Sequence, residues 1–264
     1  MPVSKKHTAI VQKQFTATAD AYSKHAARDT PEIVSERVAF AGPQPDDAVL
    51  DVACGPGAWA LEIAPRVRSV QGADLTRAML QEALEFQRER RISNAGFIQG
   101  DAEQLPYPDR AFDLVACHFA FHHMPKPEAA LKEMLRVLKP QGRVMLADSL
   151  GPESDEKWEF QHRIQQARDP SHTGSLRLTT FLKFFDDLGL IAIRQSVKRR
   201  QRSFNHWMRR AGLEHADARY QQTRKLVEEA VPGDKASLAA QIDGDDLTIV
   251  HPEVMFLLKR KQPM

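Results

Sequence analysis

An α/β protein built on an open, mostly parallel sheet is predicted by three features of the chain. Short apolar runs read as strands, stretches between them carry apolar residues at helical spacing, and acids or histidines stand at the strand ends. With 264 residues the chain can bury a substantial core, and its size fits one enlarged domain better than two. Hydrophobic residues at 42% and charged residues at 27% exclude a disordered chain or a membrane-embedded one. The formal charge of +2 is nearly balanced, and the two basic clusters, Lys198 to Arg202 and Lys259 to Lys261, read as solvated strand ends, so no nucleic-acid partner is expected.

In chain order, Val11, Phe15, Ala19 and Tyr22 share one helical face, so an N-terminal helix is expected to pack on the following domain as a lid. Thr30 as N-cap, Pro31 in the first turn, apolar Ile33, Val34, Val38 and Ala41, and Gly42 as the stop predict a second helix. Val49 to Val52 forms the first strand and runs into Ala53-Cys54-Gly55-Pro56-Gly57. Gly55 and Gly57 there lack the Cβ atoms that would block a ligand's approach to the backbone. The helix that follows, Trp59 to Pro65, aims unpaired N–H groups at whatever binds.

Ser69 to Ala73 is the second strand, ending at Asp74; Thr76 caps a helix carrying Met79, Leu80, Ala83 and Leu84; Gly96 to Gln99 is the third strand. Phe112 to Cys117 is the fourth, Pro127 opens a helix, Pro140-Gln141-Gly142 turns out of it, and Arg143 to Asp148 is the fifth. Beyond Leu150 the spacing predicts helices over 153–168 and 179–188, a strand over 190–197, an insertion over 203–244 with a short helix at Trp207 and Met208 and a longer one from Glu214 to Val231, and a last strand over 254–259. Cys54 and Cys117 suit reduced thiols, and Met1 to Gln14 holds no apolar run of signal-peptide length, so a cytoplasmic protein is expected.

In such a sheet the ligand lies beyond the carboxyl ends of the strands, where Asp51, Asp74, Asp101 and His118 all fall. Gly55-x-Gly57-x-x-Ala60 with Asp74 also fits a dinucleotide fingerprint, which keeps a nicotinamide-dependent oxidoreductase as an alternative. Asp51 weighs against it: a carboxylate at the loop repels a diphosphate and attracts an ammonium or sulfonium.

Asp51 to Gly57, Asp74 with Leu75 and Met79, Gly100-Asp101-Ala102-Glu103-x-Leu105-Pro106, and Leu135-Arg136-Val137-Leu138-Lys139-Pro140-x-Gly142 resemble, in that order, class I S-adenosylmethionine-dependent methyltransferases. More narrowly, the chain is similar to the small-molecule branch that contains quinone-biosynthesis methyltransferases. The resemblance implies a Rossmann-like, seven-stranded, mostly parallel sheet whose last strand is antiparallel, with helices on both faces. It implies one methyltransferase domain over 1–264, divided into an N-terminal helical cap (1–42), a cofactor-binding core (43–150) and substrate-side helices with the last strands (151–264). It also implies S-adenosylmethionine as cofactor, with the methionine part at Gly55 and Gly57, the ribose at Asp74 and the adenine at Asp101 and Ala102.

Ala53 stands where the family has its first glycine, and Tyr22 matches an aromatic that closes over the cofactor. His118 matches a contact to the methionine part. In-line displacement at a sulfonium methyl mainly requires positioning, and an oxygen or carbon acceptor gains from losing a proton, which makes His122, His123 and His172 candidate bases. A metal site is not expected, because adjacent histidines do not both point inward. Trp158, Phe160, Phe204 and Trp207 are candidate walls for a small-molecule acceptor of aromatic or quinone-like type. A non-catalytic protein binding the same cofactor is the further alternative. Oligomeric state is open.

Overall fold

A computed structural model describes residues 3–24, 31–244 and 246–261. Two helices open the chain, α1 (Val3–Tyr22) and α2 (Pro31–Ala41); the expected cap Thr30 lies outside the described residues. The core then alternates β1 (Ala48–Val52), α3 (Ala58–Ile63), β2 (Ser69–Asp74), α4 (Arg77–Glu89), β3 (Ala95–Gln99), β4 (Phe112–His118), α5 (Pro127–Val137) and β5 (Leu138–Ser149). After it come α6 (Asp155–Arg168), α7 (Leu178–Asp187), β6 (Leu190–Ser203), α8 (Phe204–Arg209), α9 (Ala218–Ala230), β7 (Gln241–Asp243) and β8 (Asp246–Arg260).

The strands lie in the order β3-β2-β1-β4-β5-β8-β6, parallel from β3 to β5, with β8 antiparallel between β5 and β6. β1 is buried along its whole length, as a strand covered on both faces must be. One face carries Leu131, Met134 and Leu135 of α5 with Phe181 and Phe185 of α7; the other carries Val34 and Val38 of α2 with Trp59, Ala60 and Ile63 of α3. The chain runs outward from β1 to β2 and β3 on one side and from β4 to β5 on the other. The crevice between β1 and β4 is therefore the topological switch point where an open sheet binds its ligand.

Four expectations need correction. The sheet has an eighth strand, because β7 forms a hairpin with β8 off the main path. β8 starts at Asp246 rather than at Val254. Its first half alternates buried Leu247 and Ile249 with polar residues and then buries His251 and Glu253, so no apolar run marks it. Pro140 to Gly142 is not a turn between elements but lies within the irregular start of β5, where the register with β4 shifts. The basic run Lys198 to Arg202 is not a solvated strand end: Lys198 and Arg200 pair with Glu36 of α2, and Arg200 and Arg202 pair with Glu253 of β8.

The insertion builds its own apolar cluster from Phe204, Trp207, Met208, Tyr220, Val227, Leu238 and Ile249, with Ile164 of α6 packed among them. This fixes the ends of α6 and α8 above the carboxyl edge of the sheet, beside the end of β6 that pairs with β8. None of the described helices is long and apolar enough to cross a membrane.

The two loop glycines differ in purpose. Gly57 has φ +74, and a Cβ there would meet the Phe97 ring at 2.9 Å and Ala83 at 3.1 Å; Gly55 has φ +54, and a Cβ there would meet nothing within 4 Å. Gly57→Ala is therefore expected to cost about 2–4 kcal/mol, from left-handed strain plus overpacking against Phe97. Gly55→Ala should cost only the strain, about 1 kcal/mol. Thermal unfolding of the two variants side by side checks the difference.

Candidate active site

A cavity of about 290 Å³ opens at the carboxyl ends of β1, β2 and β4. It gathers Tyr22, Asp51, Ala53, Gly55, Asp74, Leu75, Met79, Asp101, Ala102, His118, His122, His123 and His172 in its walls. Gly57, expected beside the ligand, is not in the lining; its missing Cβ makes room for Phe97, so its part is packing of the loop on β3.

The floor comes from strand ends. Asp51 pairs in register with Gly72 of β2 and Ala116 of β4, and its carboxylate is buried. It accepts the Ala60 N–H and lies 3.5 Å from His118 Nδ1. Gly57, at the N-cap position of α3, brings no capping side chain, so Asp51 serves α3 from the neighbouring strand. This modifies the expectation for Asp51: part of its charge organises the loop, and burial raises its pKa although His118 opposes the rise. Trp59 flanks His118 with ring centroids 4.6 Å apart, and burial lowers the imidazole's pKa.

Asp74 closes β2. Its Oδ2 accepts the Gly55 N–H at 2.9 Å and its Oδ1 accepts the Thr76 N–H at 2.8 Å, which ties the glycine loop to the end of β2. Burial pushes its pKa up to about 6 against those hydrogen bonds. Asp101 caps its own turn by accepting the Glu103 N–H at 2.9 Å. Two non-glycine residues at the switch point adopt left-handed backbone, Ala53 (φ 54) after β1 and Phe119 (φ 53) after β4. The Phe119 N–H is pinned by the Ala147 carbonyl at 2.7 Å, and such strain is held where the site needs the backbone turned.

The roof is α1, whose His7, Thr8, Val11, Gln14, Phe15, Thr18 and Tyr22 line the cavity at helical spacing. Gln12 Nε2 donates to the Leu75 carbonyl at 3.2 Å, and His7 Nε2 lies 3.0 Å from the His123 carbonyl, so the helix is fastened to both sides of the crevice. Ala19 is buried as expected, away from the cavity.

Opposite the floor stand the histidines. His122 Nδ1 makes a close contact with the Asp148 carboxylate, which also accepts the His122 backbone N–H at 3.3 Å. His123 Nδ1 lies 3.0 Å from Ser171 Oγ, which donates to Asp169 at 2.6 Å; burial and His122 lower the His123 pKa to about 4. The His172 ring sits 5.1 Å from that of His122, its Nδ1 is buried without a partner, and burial takes its pKa well down.

Asp148 was within reach of sequence reasoning. It stands one residue before the end of β5, as Asp74 ends β2, and the sequence reading takes it only as the close of that strand. The arginines Arg37, Arg168, Arg202 and Arg210 also face the cavity; Arg202 belongs to the basic run read as a solvated strand end, and no local motif marks the other three. Of the four aromatics proposed as substrate walls, only Trp207 lines this cavity. Phe204 and Phe160 belong to the insertion's apolar cluster, and Trp158 stacks on His162 with its N–H donated to the Ser175 carbonyl.

These residues fit an adenosyl sulfonium cofactor. The open face at Gly55 gives backbone-close space, and beside it Asp74 offers acceptor oxygens for a diol. A family profile described as a methyltransferase domain matches residues 49–142. The uncharacterized methyltransferase YcgJ of Bacillus subtilis strain 168 is 39% identical over 137 residues, covering 52% of this chain and 54% of that one. Its crystal structure superposes with a TM-score of 0.79 at 26% identity, over 88% of this chain and 99% of that chain. A demethylmenaquinone methyltransferase of Geobacillus sp. strain WCH70 is 37% identical over 39% of this chain and 45% of its own length. YafE of Escherichia coli K12 is 30% identical over 56% of this chain and 71% of its own. In sequence, the chain thus spans about half the length of the first two of these relatives. From the profile match, the methyltransferase relatives and the architecture shared with YcgJ, residues 49–142 of the chain form a domain of the methyltransferase family.

Proposed function

We propose that the chain transfers the methyl group of S-adenosylmethionine to an oxygen, nitrogen or carbon atom of a small organic acceptor held between α1, the 121–124 turn and the ends of α6 and α8. The observation that carries this reading is one cavity that gathers Gly55, Asp74 and Asp101 together with His122, which is backed by Asp148. The cofactor supplies a methyl carbon made electrophilic by the positive sulfur.

Held by Gly55, Asp74 and Asp101, the cofactor would supply that methyl to an electron-rich acceptor atom placed opposite the sulfur, the bond to sulfur being the one that would break. The acceptor's proton passes to His122. With Nδ1 committed to Asp148, Nε2 is the nitrogen left to accept it, and the carboxylate steadies the imidazolium that results. Asp51 and Asp74 place negative charge where a sulfonium is to be held, and α1 excludes water from the crevice.

The test is calorimetry with S-adenosylhomocysteine, followed by a screen of acceptors with labelled methyl donor. Micromolar binding and incorporation of label into a small molecule are expected. Folded protein that binds neither donor nor product at millimolar ligand would sink the proposal.

A further inference from the structure

We infer that the acceptor is an organic anion, a carboxylate or phosphate ester, whose charged group is taken by the guanidiniums of Arg168, Arg202 and Arg210 at the end of the cavity away from the glycine loop. The inference rests on the methyl-transfer reading for what the anion is, but the wall itself is a separate feature. It is assembled from three elements, the end of α6 (Arg168), the end of β6 (Arg202) and the end of α8 (Arg210). The insertion's apolar cluster holds α6 and α8 together, and pairing with β8 brings the end of β6 beside them.

Carboxylates of the protein balance this wall only in part: Asp169 attracts Arg168 and Glu253 pairs with Arg202, while Arg210 has no ion pair among the described residues. Glu253 accepts from Arg202 and also serves Arg200 and, at 3.6 Å, Arg37 on the cofactor side. Asp169 turns its Oδ1 to Ser171, accepting both its N–H and its hydroxyl. Arg168 donates Nε to the Trp207 carbonyl at 3.2 Å and lies 4.7 Å from that indole's centroid; its terminal amino groups have no hydrogen-bond partner among the described residues. Arg210 has the Tyr22 ring at 6.0 Å and no ion pair among the described residues. Arg202 Nε is buried without an acceptor among the described residues.

His251, behind them, bonds to Gln165 and adds no negative charge. Burial and mutual repulsion lower the pKa of Arg168 to about 10 and lower that of Arg202, yet both stay charged at neutral pH. Guanidiniums desolvated in a cleft with donors unused are costly for a folded protein. An anion that accepts those hydrogen bonds removes the cost, and a planar fork suits carboxylate or phosphate. Trp207, Tyr22 and Phe15 supply the apolar walls for the rest of the molecule.

The test is calorimetry of the full chain loaded with S-adenosylhomocysteine, titrated with benzoate, phenyl phosphate and benzamide. At least one anion is expected to bind about tenfold or more tighter than the neutral amide, the worth of a charge-assisted hydrogen bond; the two anionic arms tell carboxylate from phosphate. Arg210→Gln should erase that preference while leaving S-adenosylhomocysteine affinity unchanged, and Arg210→Lys should keep part of it.

Equal binding of anion and amide, or binding of none of the three, overturns the inference. So does an Arg210→Gln variant that loses affinity for S-adenosylhomocysteine rather than for benzoate, since the arginines would then hold the cofactor's own carboxylate. Retained anion preference in a protein that fails to bind S-adenosylhomocysteine would instead reject the methyl-transfer reading and leave the anionic wall standing.

Discussion

Replacing His122 by alanine is expected to lower turnover about 10²- to 10⁴-fold, the usual range for loss of a general base, with affinity for S-adenosylhomocysteine unchanged within about twofold. The expectation comes from comparing the three candidate histidines. His123 is tied through Ser171 to Asp169 and packs its ring 5.0 Å from Phe15 of α1, so its replacement should loosen the roof rather than stop the chemistry. His172 has no partner for Nδ1 and is held well below the usual histidine range by burial and by His122 and His123, which leaves nothing to stabilise it as a cation. Only His122 carries a carboxylate behind it, and that carboxylate is pinned by the His122 and Ser149 N–H groups. Asp148→Asn keeps the shape but loses the charge that favours protonated imidazole. It is expected to give a partial loss in the same direction, with the change in kcat rather than KM. Initial rates with labelled donor and the acceptor found by screening measure both, and a wild-type rate in His122→Ala overturns the assignment.

How much of this was legible in the chain depended on whether the signal was local. β1 and β4 and their helices follow from periodicity, because both faces of those two strands are buried and their residues are near-continuously apolar; β2 and the half-exposed edge strand β3 follow from the turn residues and helices that bound them. The floor of the site was legible for the same reason: Asp51, Asp74, Asp101 and His118 are each adjacent in sequence to the strand that positions them. The far wall was not. His251 and Glu253 interrupt the apolar pattern of β8, and what justifies burying Glu253 is arginines on α2 and β6. Arg168, Arg202 and Arg210 meet because α6 and α8 share an apolar cluster assembled from distant residues while the end of β6 is placed by its pairing with β8, as non-local packing determines. Gly57 shows the converse error: its place in the motif suggested a ligand, whereas its neighbour is Phe97, forty residues on.

Asp74→Ala is expected to weaken binding of S-adenosylhomocysteine by about 1–3 kcal/mol, the loss of charge-assisted hydrogen bonds from the ribose. The wild-type affinity should also depend on pH in a defined sense. Burial raises the carboxyl's pKa to about 6, and the ionised form is the one that accepts hydroxyl donors from a diol. The dissociation constant should therefore be flat above about pH 7 and weaken by up to tenfold per pH unit as the group protonates below about pH 6. Asp74→Asn should bind weakly with a flat profile over this range.

The stability of the ligand-free protein runs the other way. A carboxyl whose folded pKa is raised contributes its full stability below the unfolded value near pH 4 and loses it as pH rises through 6, a cost of about 3 kcal/mol at pH 7. The ligand-free Asp74→Asn variant is accordingly expected to melt no lower than wild type at pH 7, since an amide oxygen still serves Gly55 or Thr76 and no charge is buried. Melting well below wild type would show that Asp74 serves the loop more than the ligand. Melting at or above it, together with the flattened pH profile, identifies a carboxylate kept ionised at a cost to the fold because the cofactor's ribose needs it.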